Sequence, residues 1–189
     1  MKRLIAAALA AVLVATSAPA VGNAASVEVQ TLAANISVQE ADQEKFDKGE
    51  VVVVKDDTTE ESVKADGENV TVTAVKSSAK KVKVYGTING KAVTSISSKA
   101  FKNCKKAKTI DLTEVELTVL KSNQFKGANK VKTVKINAKN LKASKISAKA
   151  LKGFKGKKIV ISGVSKKEFK KLVKKLQKSA PKGVTFKRA

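Results

Sequence analysis

The stretch FKNCKKAKTIDL, Phe101 to Leu112, returns 24 residues later as FKGANKVKTVKI, Phe125 to Ile136. Seven positions recur in register. One frame runs Ile96, Ala100, Phe101, Cys104, Ala107, Ile110, Leu112, and the next runs Leu120, Gln124, Phe125, Ala128, Val131, Val134, Ile136. A third runs Ile146, Ala150, Leu151, Phe154, Gly156, Ile159, Ile161, offset by 26 and then by 25 after one residue is lost between Phe154 and Gly156. Part of an earlier unit survives as Ala79, Val82, Val84. A unit this short cannot bury its own apolar edge, so its neighbours must stack on it.

Each frame ends in a relaxed L-x-x-L-x-L: AKKVKV, AKTIDL, VKTVKI, GKKIVI. The closing alternation predicts a short strand with one buried face. The segments around Phe101 and Phe125 read as a turn or short helix crossing behind the sheet. A period of 20–29 residues with this triplet is the signature of a leucine-rich repeat. The expected fold is an α/β-type repeat solenoid: a short leucine-rich-repeat stack with parallel strands, an N-terminal β cap and a C-terminal helical cap.

The residues VYGTINGKAVTSISSKAFKNCKKAKTIDL, Val84 to Leu112, resemble the BspA-type leucine-rich repeat of bacterial surface and secreted proteins, with its I-x-x-x-A-F-x-x-C core. The resemblance covers about residues 70–161. It departs where Gln124 replaces the small residue before Phe125, and where Leu151 and Phe154 occupy the Phe and Cys positions of the third unit. The resemblance implies an exported repeat protein that contacts other proteins or surfaces, some members being adhesins.

Five regions follow. Residues 1–24 read as a signal peptide: Lys2 and Arg3, an apolar run from Leu4 to Val14, then Ala18-Pro19-Ala20. That run is well short of the ~20 residues a membrane span needs, so the expected localisation is secreted or cell-surface associated. Residues 25–49 are polar and unpatterned, predicting a flexible acidic leader. Residues 50–78 hold VVVVK and VTVTAV, strands of an N-terminal β cap with a turn at Ala65 to Asn69. Residues 79–162 are the repeats. Residues 163–189 supply a cap helix and an edge strand. There, Ser165 and Glu168 form a capping box, Phe169, Leu172, Val173 and Leu176 share one helix face, and Pro181 and Gly183 precede Val184-Thr185-Phe186.

Charge is divided unevenly. Residues 25–75 carry 4 Lys and 12 acids, a balance of −8, whereas residues 76–189 carry 33 Lys or Arg and 4 acids, a balance of +29. The triplet register predicts columns on the outer sheet face: Lys80, Lys108, Lys132 and Lys157 first, then Lys81 and Lys158 among threonines, then Lys83 and Lys135 flanking Asp111. These eight lysines are the candidate anion- or partner-binding face. Partners consistent with it are anionic wall polymers, acidic glycans and acidic protein surfaces. The plain alternative is a solvated lysine coat that aids solubility and blocks edge pairing. Nucleic acid would bind only non-specifically, since no recognition motif or aromatic platform is present. A basic amphipathic helix from Phe169 to Leu176 lying on a membrane is the less favoured alternative to a cap.

Catalysis is not expected. The chain contains no His, which excludes a Ser-His or Cys-His nucleophile. Cys104 aligns with Ala128 and Phe154, marking it as core filler. Asp111, Glu114 and Glu116 match no strong metal motif and should pair with lysines. Asp56-Asp57 and Glu60-Glu61 lack the glycine and ligand alternation of a calcium loop. No cofactor is implied. The reading that results is an exported binding protein, with a charge-retained structural wall component as the rival.

Overall fold

The computed structural model describes residues 35–189. The expected signal peptide and the first part of the expected leader lie outside the described residues. In chain order the elements are β1 (Asn35–Ile36), α1 (Glu40–Asp47), β2 (Val52–Lys55), β3 (Thr59–Asp66), β4 (Asn69–Ser77), β5 (Lys81–Lys83), β6 (Thr87–Ile88), β7 (Lys91–Ile96), β8 (Thr109–Leu112), β9 (Thr133–Asn137), β10 (Lys158–Ser162), α2 (Lys166–Gln177) and β11 (Thr185–Arg188). Short 3-10 turns span Ala100–Lys102 and Ala143–Lys145.

The repeats build one five-stranded sheet in the order β11-β10-β9-β8-β5, parallel throughout. Its register matches the sequence alignment: Val82 pairs with Ile110, Ile110 with Val134, Val134 with Ile159, and Ile159 with Phe186. Val82, Ile110, Val134 and Ile159 are fully buried, and so is the next inward row of Val84, Leu112, Ile136 and Ile161. Behind the sheet Phe101 stacks on Phe125, and Phe154 meets Phe125 at a 58° tilt, with successive centroids 5.8 Å apart. Offset aromatic stacking adds about 0.5–1.5 kcal/mol per pair beyond the area buried.

Phe154 occupies the Cys104 position of its unit, yet its ring completes the phenylalanine column. Gly156 makes the room. A Cβ there would lie 2.2 Å from Phe154 Cζ, whereas the equivalent positions carry Ala107 and Val131. Volume has moved between two positions of one unit, so the stack continues. Gln124 is also accommodated: buried, it donates through Nε2 to the Ile96 carbonyl at 2.9 Å and accepts from the Lys121 N–H at 2.8 Å.

The six-stranded sheet, in the order β1-β6-β7-β4-β3-β2, is mixed rather than uniformly parallel. β2–β3, β3–β4 and β6–β7 are antiparallel, while β1–β6 and β4–β7 are parallel. Tight turns account for this departure from the expected parallel stack. Asn89 and Gly90, both at positive φ, join β6 to β7 in a two-residue hairpin of the kind Asn-Gly favours. β3 was not foreseen, because its buried positions include Thr59 and Glu61, which disguise the apolar alternation.

The leader reading is corrected for residues 35–49. β1 pairs with β6, and α1 is fastened by Phe46, which is fully buried with Lys91 Nζ 5.7 Å from its ring centroid. Gln43 Oε1 accepts a hydrogen bond from Asn89 Nδ2. A single aromatic among polar residues has no period, so its burial shows only in tertiary structure.

At the other end the capping box is present. Ser165 Oγ accepts from the Glu168 N–H at 3.2 Å, and Glu168 Oε2 accepts from the Ser165 N–H at 3.1 Å. Leu172 and Leu176 are buried, and Phe169 and Val173 pack partly against the same core. No helix among the described residues is long and apolar enough to cross a membrane.

Candidate functional site

The parallel register places the candidate lysines in two distinct settings. The first is the sheet face proper, where Lys81, Thr109, Thr133 and Lys158 form one row and Lys83, Asp111, Lys135 and Val160 the next. This face is partly neutralised. Asp111 Oδ2 lies 3.1 Å from Lys81 Nζ and 3.8 Å from Lys135 Nζ, and Glu114 pairs with Lys83. Burial works to raise the Asp111 pKa, but hydrogen bonds from Thr113 and the Lys81 ammonium hold it below the ordinary carboxylate value. Three of the eight candidates are therefore paired with acids, as expected of Asp111 and Glu114. Glu116 instead accepts from Asn140 Nδ2 at 3.0 Å.

The second setting is the rim where the chain runs into each strand. Here the Lys80 carbonyl accepts from Lys108 and Thr109 N–H, the Lys108 carbonyl from Lys132 and Thr133, and the Lys132 carbonyl from Lys157 and Lys158. Each junction is thus hydrogen-bonded to the next, which fixes Lys80, Lys108, Lys132 and Lys157 in a file, all exposed. Neighbouring strands lie ~4.8 Å apart, so adjacent backbone positions in the file are close enough for one extended anion to span several.

The turns before the strands extend this rim. A surface depression of 430 Å³ is lined by Lys108, Asn129, Lys130, Val131, Lys132, Lys155 and Lys157. A second, of 310 Å³, is lined by Lys102, Lys105, Gly127, Asn129 and Lys130. Asn129 and Lys130 belong to both, so the two form one strip carrying seven lysines and lined by no acid. No ion pair joins these seven to an acid among the described residues.

Lys102, Lys105, Lys130 and Lys155 were not among the residues expected from the sequence. A signal exists for Lys130 and Lys155, which recur with Lys106 at offsets of 24 and 25, but the triplet alone drew attention to the strand. Lys80 belongs to the file and lies outside the two depressions.

The other chemistry-bearing side chains are dispersed. Cys104 is buried, donates from Sγ to the Val75 carbonyl at 3.4 Å, and has its thiol pushed up to about 11 by burial, far from the thiolate needed for reaction. Among the described residues no group of three or more His, Cys, Asp or Glu is arranged to hold a metal ion. Asp56 accepts from Thr58 and Thr59 N–H and from the Tyr85 hydroxyl, while Glu61 turns inward and is fully buried. Burial raises Glu61 to about 8, against the pull of the Tyr85 N–H.

No curated protein and no solved structure matches the chain. The family described as BspA type leucine rich repeat region matches residues 77–174 in six copies, over half the chain. With the repeat register, the parallel ladder and this match in agreement, the chain belongs to the BspA-type leucine-rich repeat family.

Proposed function

We propose that this chain is an exported, non-enzymatic binding protein that holds anionic polymers or acidic protein surfaces on the lysine strip at the rim of its parallel sheet. The reading builds on the character of the family, whose repeats are typical of bacterial surface proteins that engage other proteins. The architecture proposed with it is a short solenoid, sealed at its N-terminal end by β2 to β4 and at its C-terminal end by α2. The observation that carries the reading is the strip itself: Lys102, Lys105, Lys108, Lys130, Lys132, Lys155 and Lys157 line adjoining depressions with no acid among them. Folding alone does not need this. Neutral polar residues would cover the same turns without gathering like charges, which repel by roughly 1 kcal/mol at ~4 Å in water.

The test is affinity for heparin and for polyglutamate at low and moderate salt. Replacing Lys108, Lys130 and Lys132 with Gln should weaken binding at least about tenfold, equivalent to ~1.4 kcal/mol. Replacing Lys167, Lys170 and Lys174 on α2 removes the same charge and should change it little. Equal losses from the two triple variants would favour the rival reading, a wall component retained by charge alone.

A further inference from the structure

In the order of the six-stranded sheet β2 is terminal, so one side of its backbone has no strand partner among the described residues. The only exposed large hydrophobic side chains among the described residues are also here: Val51, 56% exposed, and Val53, 42% exposed. They point away from the core that Val52 and Val54 enter. The opposite end of the fold is guarded differently. The edge strand β11 presents Lys187 and Arg188, charges that discourage pairing. Near Val51 and Val53, only Lys55 plays that part on β2.

We propose that the free edge of β2 pairs with the same edge of a second copy of this chain. The strands run antiparallel about a two-fold axis through Val52. A two-fold axis normal to the sheet keeps like faces together, so it must pass through a residue rather than between two. Centring on Val52 sets Val51 of each copy against Val53 of the other and gathers four exposed valines into one cluster. Centring on Val53 instead would set Glu50 against Asp56 of the second copy, like charges directly opposed. The interface is small, which places the association at the weak end of specific contacts. It joins two lysine strips in one particle and so raises avidity for a long anionic chain.

Residues 35–75 carry 4 Lys and 11 acids, so the two ends repel, and added salt should strengthen this pairing. A head-to-tail contact between the acidic end of one copy and the lysines of another would respond in the opposite sense.

The experiment is sedimentation velocity on the intact purified protein over a range of concentrations, at low and moderate salt. The expected result is a mass rising toward twice that of the monomer with concentration, more readily at moderate salt. Val53→Lys should remain monomeric with an unchanged melting temperature, and Ser144→Lys, an exposed change of equal charge in the Ala143–Lys145 turn, should behave as wild type. Mixed Val51→Cys and Val53→Cys chains should form an intermolecular disulfide that neither forms alone. A monomer at every concentration, or a dimer that dissolves in salt or ignores Val53→Lys, would overturn the proposal. Cross-linking of Val53→Cys to itself would overturn its register.

Discussion

At the scale of single residues, two buried positions show how much the fold tolerates. Glu61 is fully buried, with Oε1 accepting from the Tyr85 N–H at 3.3 Å and Oε2 without a hydrogen-bond partner. Its pKa, raised by burial from the ordinary 4.5 to about 8, means that it folds with its proton on. The stability it allows is complete below about pH 4.5 and is lost as pH rises toward 8, because the unfolded chain gives up the proton first. Glu61→Gln should therefore raise the melting temperature by several degrees at pH 8, about 2–4 °C for each kcal/mol in a chain of this size. At pH 4 the gain should vanish, and thermal unfolding at the two pH values checks this. Gly156 is limited by space. Gly156→Val must displace the Phe154 ring and should cost ~1–3 kcal/mol or more. Combining it with Phe154→Ala should relieve part of that loss, which a double-mutant cycle in urea measures.

At the scale of elements, the C-terminal helix and the repeat strands were the most legible. Ser165, Glu168 and the spacing of Phe169, Leu172, Val173 and Leu176 define the helix start and its buried face without reference to the rest of the chain. Leu172→Asp should place a charge among buried side chains and unfold this end, with loss of protection in hydrogen exchange from β10 to β11. Ser165→Ala should cost only about 1 kcal/mol, the usual value of a lost N-terminal cap. Strand register was equally legible, because a repeat aligned on its apolar positions has already aligned its strands. What escaped the sequence depends on contacts far apart in the chain. Helix α1 is held by Phe46, β3 hides its alternation behind Thr59 and Glu61, and β1 is two residues long. The candidate site was legible in part. Lys80, Lys108, Lys132 and Lys157 fall in file, but at the rim where the chain enters each strand rather than on the outer sheet face, and Asp111 on β8 with Glu114 just beyond it engages Lys81, Lys83 and Lys135. Only the turn geometry brings Lys102, Lys105, Lys130 and Lys155 beside the file.

At the scale of the whole molecule, charge and architecture reinforce each other. Stacking forces equivalent side chains into files, so one lysine per unit becomes a row, and a lysine in the preceding turn becomes a second row beside it. Asp111 and Glu114 pair with lysines of the sheet face, whereas the rim file has no ion pair among the described residues. Binding there should fall steeply with salt, since the partner must displace counterions from closely spaced ammonium groups. The most direct measurement is an NMR titration of the protein with a defined heparin fragment, following backbone amides along the fold. The account predicts shifts concentrated at Lys105 to Lys108, Asn129 to Lys132 and Lys155 to Lys157, with little change along α2. Shifts spread evenly over α2 and the sheet face would contradict it.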